Sequence, residues 1–461
     1  MRSLFEANNY EKIILRSSLP NKISSILAGT SRYLRISYER VSIDEEVARS
    51  VASDLVAPLV FSFCWWVLYE ATKNNIERIY FLARDGKIFY EVAQVLKKNW
   101  NLNTELRYLY CSRESLLLPA IKEIGNFEIK WITWGYLSSI DMREILCRLN
   151  LTPADLAGIN GKEKIIKYLE NPDMPVSKKD FEHIVSFLKD PEFLKLLHSK
   201  TSALFRNALG YLLQEGFGDK VKLCICDSGW LGTSQYALSC ILSKGGLFPE
   251  DGLEGYYLGI NRDAFNYLNN RMKAFLFDWR SSRIDETIYN FICFEMLFSS
   301  EESRTIKYEF LDGKYMPIFD AKKFDDQTLK KIRCHHEFAK RYAEEVSQFL
   351  RFDDFIIYKT ELKNLCYKLI KKFITSPSQE IASVYGDWMM GSETRERDYQ
   401  CVAPPLQLRD VINIAVGRKK IKGFWPQGSL VRGRLYPILI LYNCFLKFNL
   451  LELWRKYVLG Y

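Results

Sequence analysis

Residues 221–242, VKLCICDSGWLGTSQYALSCIL, leave the chain few ways to fold. Leu223, Cys224, Ile225 and Cys226 form a short apolar run that reads as a buried strand. Asp227 then opens a loop of small residues, Ser228-Gly229-Trp230-Leu231-Gly232-Thr233-Ser234, and a helical apolar period takes over at Tyr236, Leu238 and Cys240. Strand, small-residue loop, helix is the βα unit of an α/β sheet. In such a unit glycines bring backbone N–H groups close to a ligand, hydroxyls donate, and the helix N-terminus favours an anion. A plain tight βα turn is the bland alternative for the same residues.

The same grammar occurs earlier. Residues 78–83 (RIYFLA) read as a strand, followed by Arg84-Asp85-Gly86-Lys87 and a helical period at Ile88, Val92, Val95 and Leu96. A second strand, 106–110, ends in Cys111-Ser112-Arg113. Residues from about 120 to 215 are helical and charged, which reads as an insertion or lid. The sheet resumes at 222–226 and again at 254–260, with a pair of short strands near 273–278. The expected class is therefore α/β, a parallel sheet with a helical insertion and an additional helical C-terminal region. The expected layout is an N-terminal helical arm over 1–50, an α/β unit over 51–310 and a helical region over 311–461.

With 461 residues, 48% hydrophobic and 26% charged, the chain has the composition of a folded protein with a large core. The net charge of +9 suits an anionic substrate or an anionic membrane surface, and the absence of zinc-finger spacing and RNA-binding signatures argues against nucleic acid. Eleven cysteines without a CxxC pair read as reduced, buried thiols of a cytoplasmic protein. Cys334-His335-His336 invites a metal reading, but neighbouring helical positions diverge, so surface residues are expected. Residues 1–9 are polar, without the apolar run of a signal peptide. Residues 55–69 are apolar over only 15 positions, which favours a buried core helix over a membrane span. Near the C-terminus, Arg409, Arg418, Lys419, Lys420, Lys422, Arg432 and Arg434 gather around Trp425 ahead of an aromatic and aliphatic run over 435–461. Both a peripheral membrane-surface segment and a helix docked on the core fit that pattern.

Three loops at the C-terminal ends of expected parallel strands carry the chemistry, because open α/β sheets bind ligands at that edge. They are Arg84–Lys87, Ser112-Arg113 and Asp227–Ser234. Together they offer arginines, a lysine, two carboxylates and a glycine–hydroxyl cradle, an inventory suited to a ligand with more than one phosphate and a sugar between them. Glu295, among the apolar residues of FICFEMLF, is a further candidate; its bland reading is an exposed position on an amphipathic helix.

The order of these loops resembles the type I phosphoribosyltransferase fold. Ala83-Arg84-Asp85-Gly86 matches that family's diphosphate loop and Arg113 its later basic residue. Cys226-Asp227 falls on the acidic pair, Ser228-Gly229-Trp230 on the variable part, and Leu231-Gly232-Thr233-Ser234 on the 5-phosphate loop. Cys226 and Leu231 depart from the family pattern. More narrowly, FLARDG, YCSRESLLLP and DSGWLGTSQ are similar to phrases in ribofuranosyltransferases of bacterial polysaccharide biosynthesis, such as those of O-antigens and capsules, over roughly residues 50–310.

That resemblance implies a glycosyltransferase that moves ribose 5-phosphate from phosphoribosyl diphosphate to a sugar hydroxyl of a lipid-linked glycan. A separate phosphatase partner would then remove the 5-phosphate. Arg84, Lys87 and Arg113 would stabilise the leaving diphosphate. Mg²⁺ would enter with the donor, Asp85 and Asp227 being its candidate protein ligands. Asp85 is the first candidate for the base and Asp227 the second. Gly86, Ser112, Ser228, Gly229, Trp230, Gly232, Thr233, Ser234 and Glu295 complete the expected substrate contacts. Two other readings stay open: a sugar phosphatase of the haloacid dehalogenase type using Asp85, and a non-catalytic sugar-phosphate-binding scaffold of a polysaccharide assembly complex. The phosphatase reading needs an acid two residues after Asp85, where Lys87 stands.

Overall fold

The computed structural model describes residues 7–38, 42–133, 140–177, 179–264, 269–281, 286–288, 290–321, 324–391, 399–415, 418 and 423–447. Its centre is a five-stranded sheet built from β1 (Arg78–Leu82), β2 (Glu105–Leu109), β3 (Leu223–Asp227), β4 (Glu254–Ile260) and β5 (Arg271–Asp278). The order is β2-β1-β3-β4-β5, and every pairing is parallel. The α/β class is thus present. Where a pair of short strands is expected near 273–278, the chain forms the single strand β5.

Side chains alternate across a strand, so a sheet covered on both faces is apolar throughout. β1 shows this directly. Ile79 and Phe81 enter the larger core, with Cys224, Cys226, Tyr256 and Leu258 from the neighbouring strands. Tyr80 and Leu82 enter the core on the opposite face, with Ile225 and Tyr257. Helices Ala57–Lys73, Gly86–Asn99, Asp326–Phe349 and Lys359–Thr375 contribute to the first face. Helices Arg113–Ala120, Pro191–Gln214 and Thr233–Lys244 contribute to the second.

Among the described residues one helical run, Ile43–Lys73, is long and apolar enough to cross a membrane, and its apolar window is wholly buried inside the molecule. This run contains the expected core helix and extends it toward the N-terminus through a π-helical turn at Ala52–Val56.

The N-terminal region expected as a helical arm forms helices Asn9–Leu15 and Asn21–Ile36, which place Ile14, Leu27 and Leu34 in the main core. The described part of the 120–215 insertion is helical, as expected, and much of it has a hydrophobic cluster of its own, including Ile145, Leu149, Ile184 and Phe193. Between this insertion and the C-terminal helices, β6 (Thr305–Leu311) and β7 (Lys314–Phe319) form an antiparallel hairpin across the expected boundary at 311. A second small hairpin, β8 (Met389–Gly391) with β9 (Tyr399–Cys401), interrupts a region read as helical.

Candidate functional site

In an open sheet of order 2-1-3-4-5, crossovers on either side of β1 and β3 leave a crevice at the C-terminal ends of those two strands. The described parts of the loops singled out in the sequence meet there. The Ser228 hydroxyl, from the loop after β3, donates to Asp85 Oδ2 at 2.6 Å in the loop after β1. The Ser228 backbone N–H donates to Asp227 Oδ1 at 2.8 Å. One serine therefore organises both carboxylates.

Asp85 occupies the N-cap position of helix Gly86–Asn99 but makes no side-chain cap bond, so its carboxylate is turned to the crevice and not spent on the helix. Helix Thr233–Lys244 likewise begins without a side-chain cap: its N-cap is Gly232, at φ 70°, a left-handed conformation that glycine adopts without steric cost. Its opening N–H groups and the partly exposed Thr233 and Ser234 form the donor end expected of a phosphate cradle.

Glu295 joins the two aspartates from helix Phe291–Phe298. Its Oε1 accepts from the Trp230 indole N–H at 3.3 Å. The bland reading as an exposed surface residue is corrected, since Glu295 is only partly exposed and sits in the field of the other two acids. Burial pushes its carboxyl up to about 7, Asp85 adds to the rise, and Arg113, Trp230 and Arg84 oppose it. Burial also raises Asp85, with Ser228, Arg84 and Arg113 pulling it back. Asp227 stands well above the usual carboxylate range because of burial and the neighbouring Asp85 charge. Three acids and two arginines thus share one partly dry recess, where electrostatic effects exceed those in water.

The remaining candidates divide. Arg113 is exposed at the start of helix Arg113–Ala120, close enough to act on all three acids. Lys87 lies 3.0 Å from Glu302 Oε1, above the Tyr108 ring, so its charge is already balanced. Ser112 is spent on structure. Its hydroxyl donates to the Thr305 carbonyl at 2.6 Å and caps its own helix by accepting from Ser115 N. Gly86 is a packing glycine, because a Cβ there would come within 3.0 Å of the Phe81 carbonyl carbon. Gly229 is needed for close approach: at φ 144°, a Cβ would meet the Gly259 carbonyl oxygen at 2.3 Å.

Trp230 is buried and stacked on Phe291 at 4.5 Å and Phe277 at 5.8 Å, so its rings serve the core while its N–H holds Glu295. Cys226, which stands where an acid is expected, faces the main core and not the crevice.

His335 is fully buried and not a surface residue: its ring nitrogens pair with the Leu297 carbonyl and the Tyr385 hydroxyl. Among the described residues no group of three His, Cys, Asp or Glu side chains is set to hold a metal ion. Asp85 and Asp227, whose charges repel, fit a divalent cation that arrives with phosphate oxygens of its own, the habit of Mg²⁺.

Sequence reasoning missed Glu302, Gly259 and Asn261. Glu302 neutralises Lys87, Gly259 N donates to Ser228 O at 3.2 Å, and Asn261 N donates to Trp230 O at 2.8 Å. Gly259, the second glycine of the β4 sequence EGYYLGI, was the available signal, since a strand glycine marks a close backbone approach. No protein-family model matches the chain, and no curated protein matches it.

Proposed function

We propose that this chain is a glycosyltransferase that moves ribose 5-phosphate from phosphoribosyl diphosphate to a sugar hydroxyl of a bacterial polysaccharide, releasing diphosphate. The observation that carries the reading is the Ser228–Asp85 bond, which ties the β1 and β3 loops together at the reversal of strand order beside Glu295 and the two arginines.

In this reading the 5-phosphate rests on the start of helix Thr233–Lys244, and Asp227 faces the ribose hydroxyls. Arg84 and Arg113 offset the charge that develops on the departing diphosphate. Mg²⁺ bound with the donor on Asp85 and Asp227 would add to that neutralisation. As the C1–O bond to diphosphate breaks and the bond from the acceptor oxygen to C1 forms, the acceptor hydroxyl loses its proton to a carboxylate. Glu295 suits that role better than Asp85. Trp230 fixes one of its oxygens, and a carboxyl balanced near neutrality is an effective proton acceptor.

The test is incubation of the purified chain with phosphoribosyl diphosphate, Mg²⁺ and lipid-linked glycan acceptors, read by mass spectrometry. The expected result is an acceptor heavier by one pentose phosphate. Release of inorganic phosphate from sugar phosphates without acceptor would replace this reading by hydrolysis. Donor binding with no product on any acceptor would replace it by a sugar-phosphate-binding scaffold.

A further inference from the structure

Helix Tyr436–Lys447 is apolar nearly all round, YPILILYNCFLK, yet among the described residues only one side of it is packed on the core. Leu439, with Ile438 and Tyr442, packs on a small cluster formed with Ala382, Leu406, Leu430 and Val431. The opposite side shows Ile440 at 65% exposure, Leu441 at 59% and Phe445 at 40%. Helix Leu408–Ala415 lies on the same cluster through Val411 and Ile414 and turns Leu408 (56%) and Ile412 (55%) outward. A helix apolar on every side is normally enclosed, and large apolar side chains left outward on a helix face mark an interaction site.

The charge around it identifies the occupant. Arg409, Arg418, Arg434 and Lys447 are exposed along the same segment, against the single acid Asp410 within residues 405–447. We propose that the outward faces of helices Leu408–Ala415 and Tyr436–Lys447 form a docking surface for an anionic lipid bilayer. Aliphatic and aromatic side chains enter the headgroup boundary while the cations meet anionic lipid. A second copy of the chain fits less well, because a two-fold pairing would set this cationic surface against itself.

The surface is also linked to the crevice. Asn290 caps the helix that carries Glu295, accepting from Cys293 N at 3.2 Å, and donates to the Phe424 carbonyl at 2.9 Å in the C-terminal segment. If the transferase reading above holds, docking places the chain on the membrane that carries a lipid-borne acceptor; docking itself does not depend on that reading.

The test is co-sedimentation of the full chain with phosphatidylcholine vesicles, with and without phosphatidylglycerol. The chain is expected to pellet with the anionic vesicles, about tenfold more than with the neutral ones, and less at high salt. The double variant Ile440→Asp/Leu441→Asp should abolish pelleting, and Arg409→Glu/Arg434→Glu should remove the preference for phosphatidylglycerol. All four positions are exposed, so the thermal melts of both variants should match wild type. Wild-type chain that remains in the supernatant with anionic vesicles overturns the proposal. So does a concentration-dependent dimer in analytical ultracentrifugation that the double variant abolishes, which would make the surface a self-interface. Because the vesicles carry no glycan, failure here is distinct from failure of glycosyl transfer.

Discussion

Ser228 Oγ donates to Asp85 Oδ2 at 2.6 Å, joining two loops 143 residues apart in sequence. The bond favours the charged form of a carboxylate that burial pushes toward the protonated form. Ser228→Ala removes that hydroxyl donor from the acid. A hydrogen bond to a charged group is worth about 1.5–3 kcal/mol. Donor affinity, measured by calorimetry with phosphoribosyl diphosphate, is expected to fall by about tenfold or more. Far-ultraviolet circular dichroism should be unchanged.

Glu295 and Trp230 form a testable pair. Glu295→Gln keeps the size of the side chain and the bond from the indole but removes the proton acceptor. Transfer should drop by about 10²–10⁴-fold with donor binding retained. Trp230→Phe keeps one aromatic ring in the stack but removes the indole N–H and part of the buried ring, so it should give a smaller loss of turnover together with a lower denaturation midpoint. If Glu295→Gln transfers at the wild-type rate and Asp85→Asn does not, the proton goes to Asp85 instead.

Gly229 has almost no room for a side chain. Gly229→Ala would place a methyl 2.3 Å from the Gly259 carbonyl oxygen at a backbone angle that L-residues rarely adopt. The expected cost is on the order of 2–4 kcal/mol, from local strain plus displacement of the β4 end. It should be visible as a lower denaturation midpoint with weakened donor binding. Gly313→Ala offers a contrast, since no atom lies within 4 Å of a Cβ there and only the positive φ of 78° is penalised.

A buried acid far from the crevice should govern part of the pH dependence of stability. Asp54, in the π-helical turn Ala52–Val56, is wholly buried, and that burial, reinforced by Glu11, pushes its carboxyl up to about 7. The Asn8 amide, Arg35 and the Ser50 hydroxyl act in the opposite direction. The folded-state value lies above the unfolded one, so the native state binds more protons and stability falls as pH rises from about 4 through about 7. Asp54→Asn should therefore be close to neutral at pH 4 and stabilising at pH 8, by an amount on the order of 2–4 kcal/mol. Urea unfolding at the two pH values measures it.

Much of the sheet was legible in the chain itself. β1, β3 and β4 lie within a residue or two of their apolar runs, because strands buried on both faces are largely apolar. β2, an edge strand with Glu105 and Arg107 half-buried, was legible instead from its place after the strand–loop–helix unit of β1. The hairpin β6–β7 was missed although Asp312-Gly313 marks its turn, with φ 48° and 78°. Its strands are half exposed and mixed in character, Lys307 and Glu309 among the apolar residues, so periodicity was silent. The packing of the first two helices was illegible for another reason. The buried Glu11 is balanced by Arg32 and Arg35 across two helices, a pairing that no local pattern announces.

The sequence alone determined that Asp85, Asp227 and the glycine-hydroxyl loop sit at strand ends, because strand, turn and helix signals are local and each is set by neighbours within a few residues. Tertiary structure decided which of the candidates share a site. The parallel pairing of β1 with β3 brings Ser228 to Asp85, helix Phe291–Phe298 brings Glu295 to both aspartates, and Glu302 balances Lys87. Those partners lie 143 to 215 residues apart in three of the cases, Asp85–Ser228, Asp85–Glu295 and Lys87–Glu302,. Contacts at such separation follow from how the layers close on one another, and no local pattern encodes them.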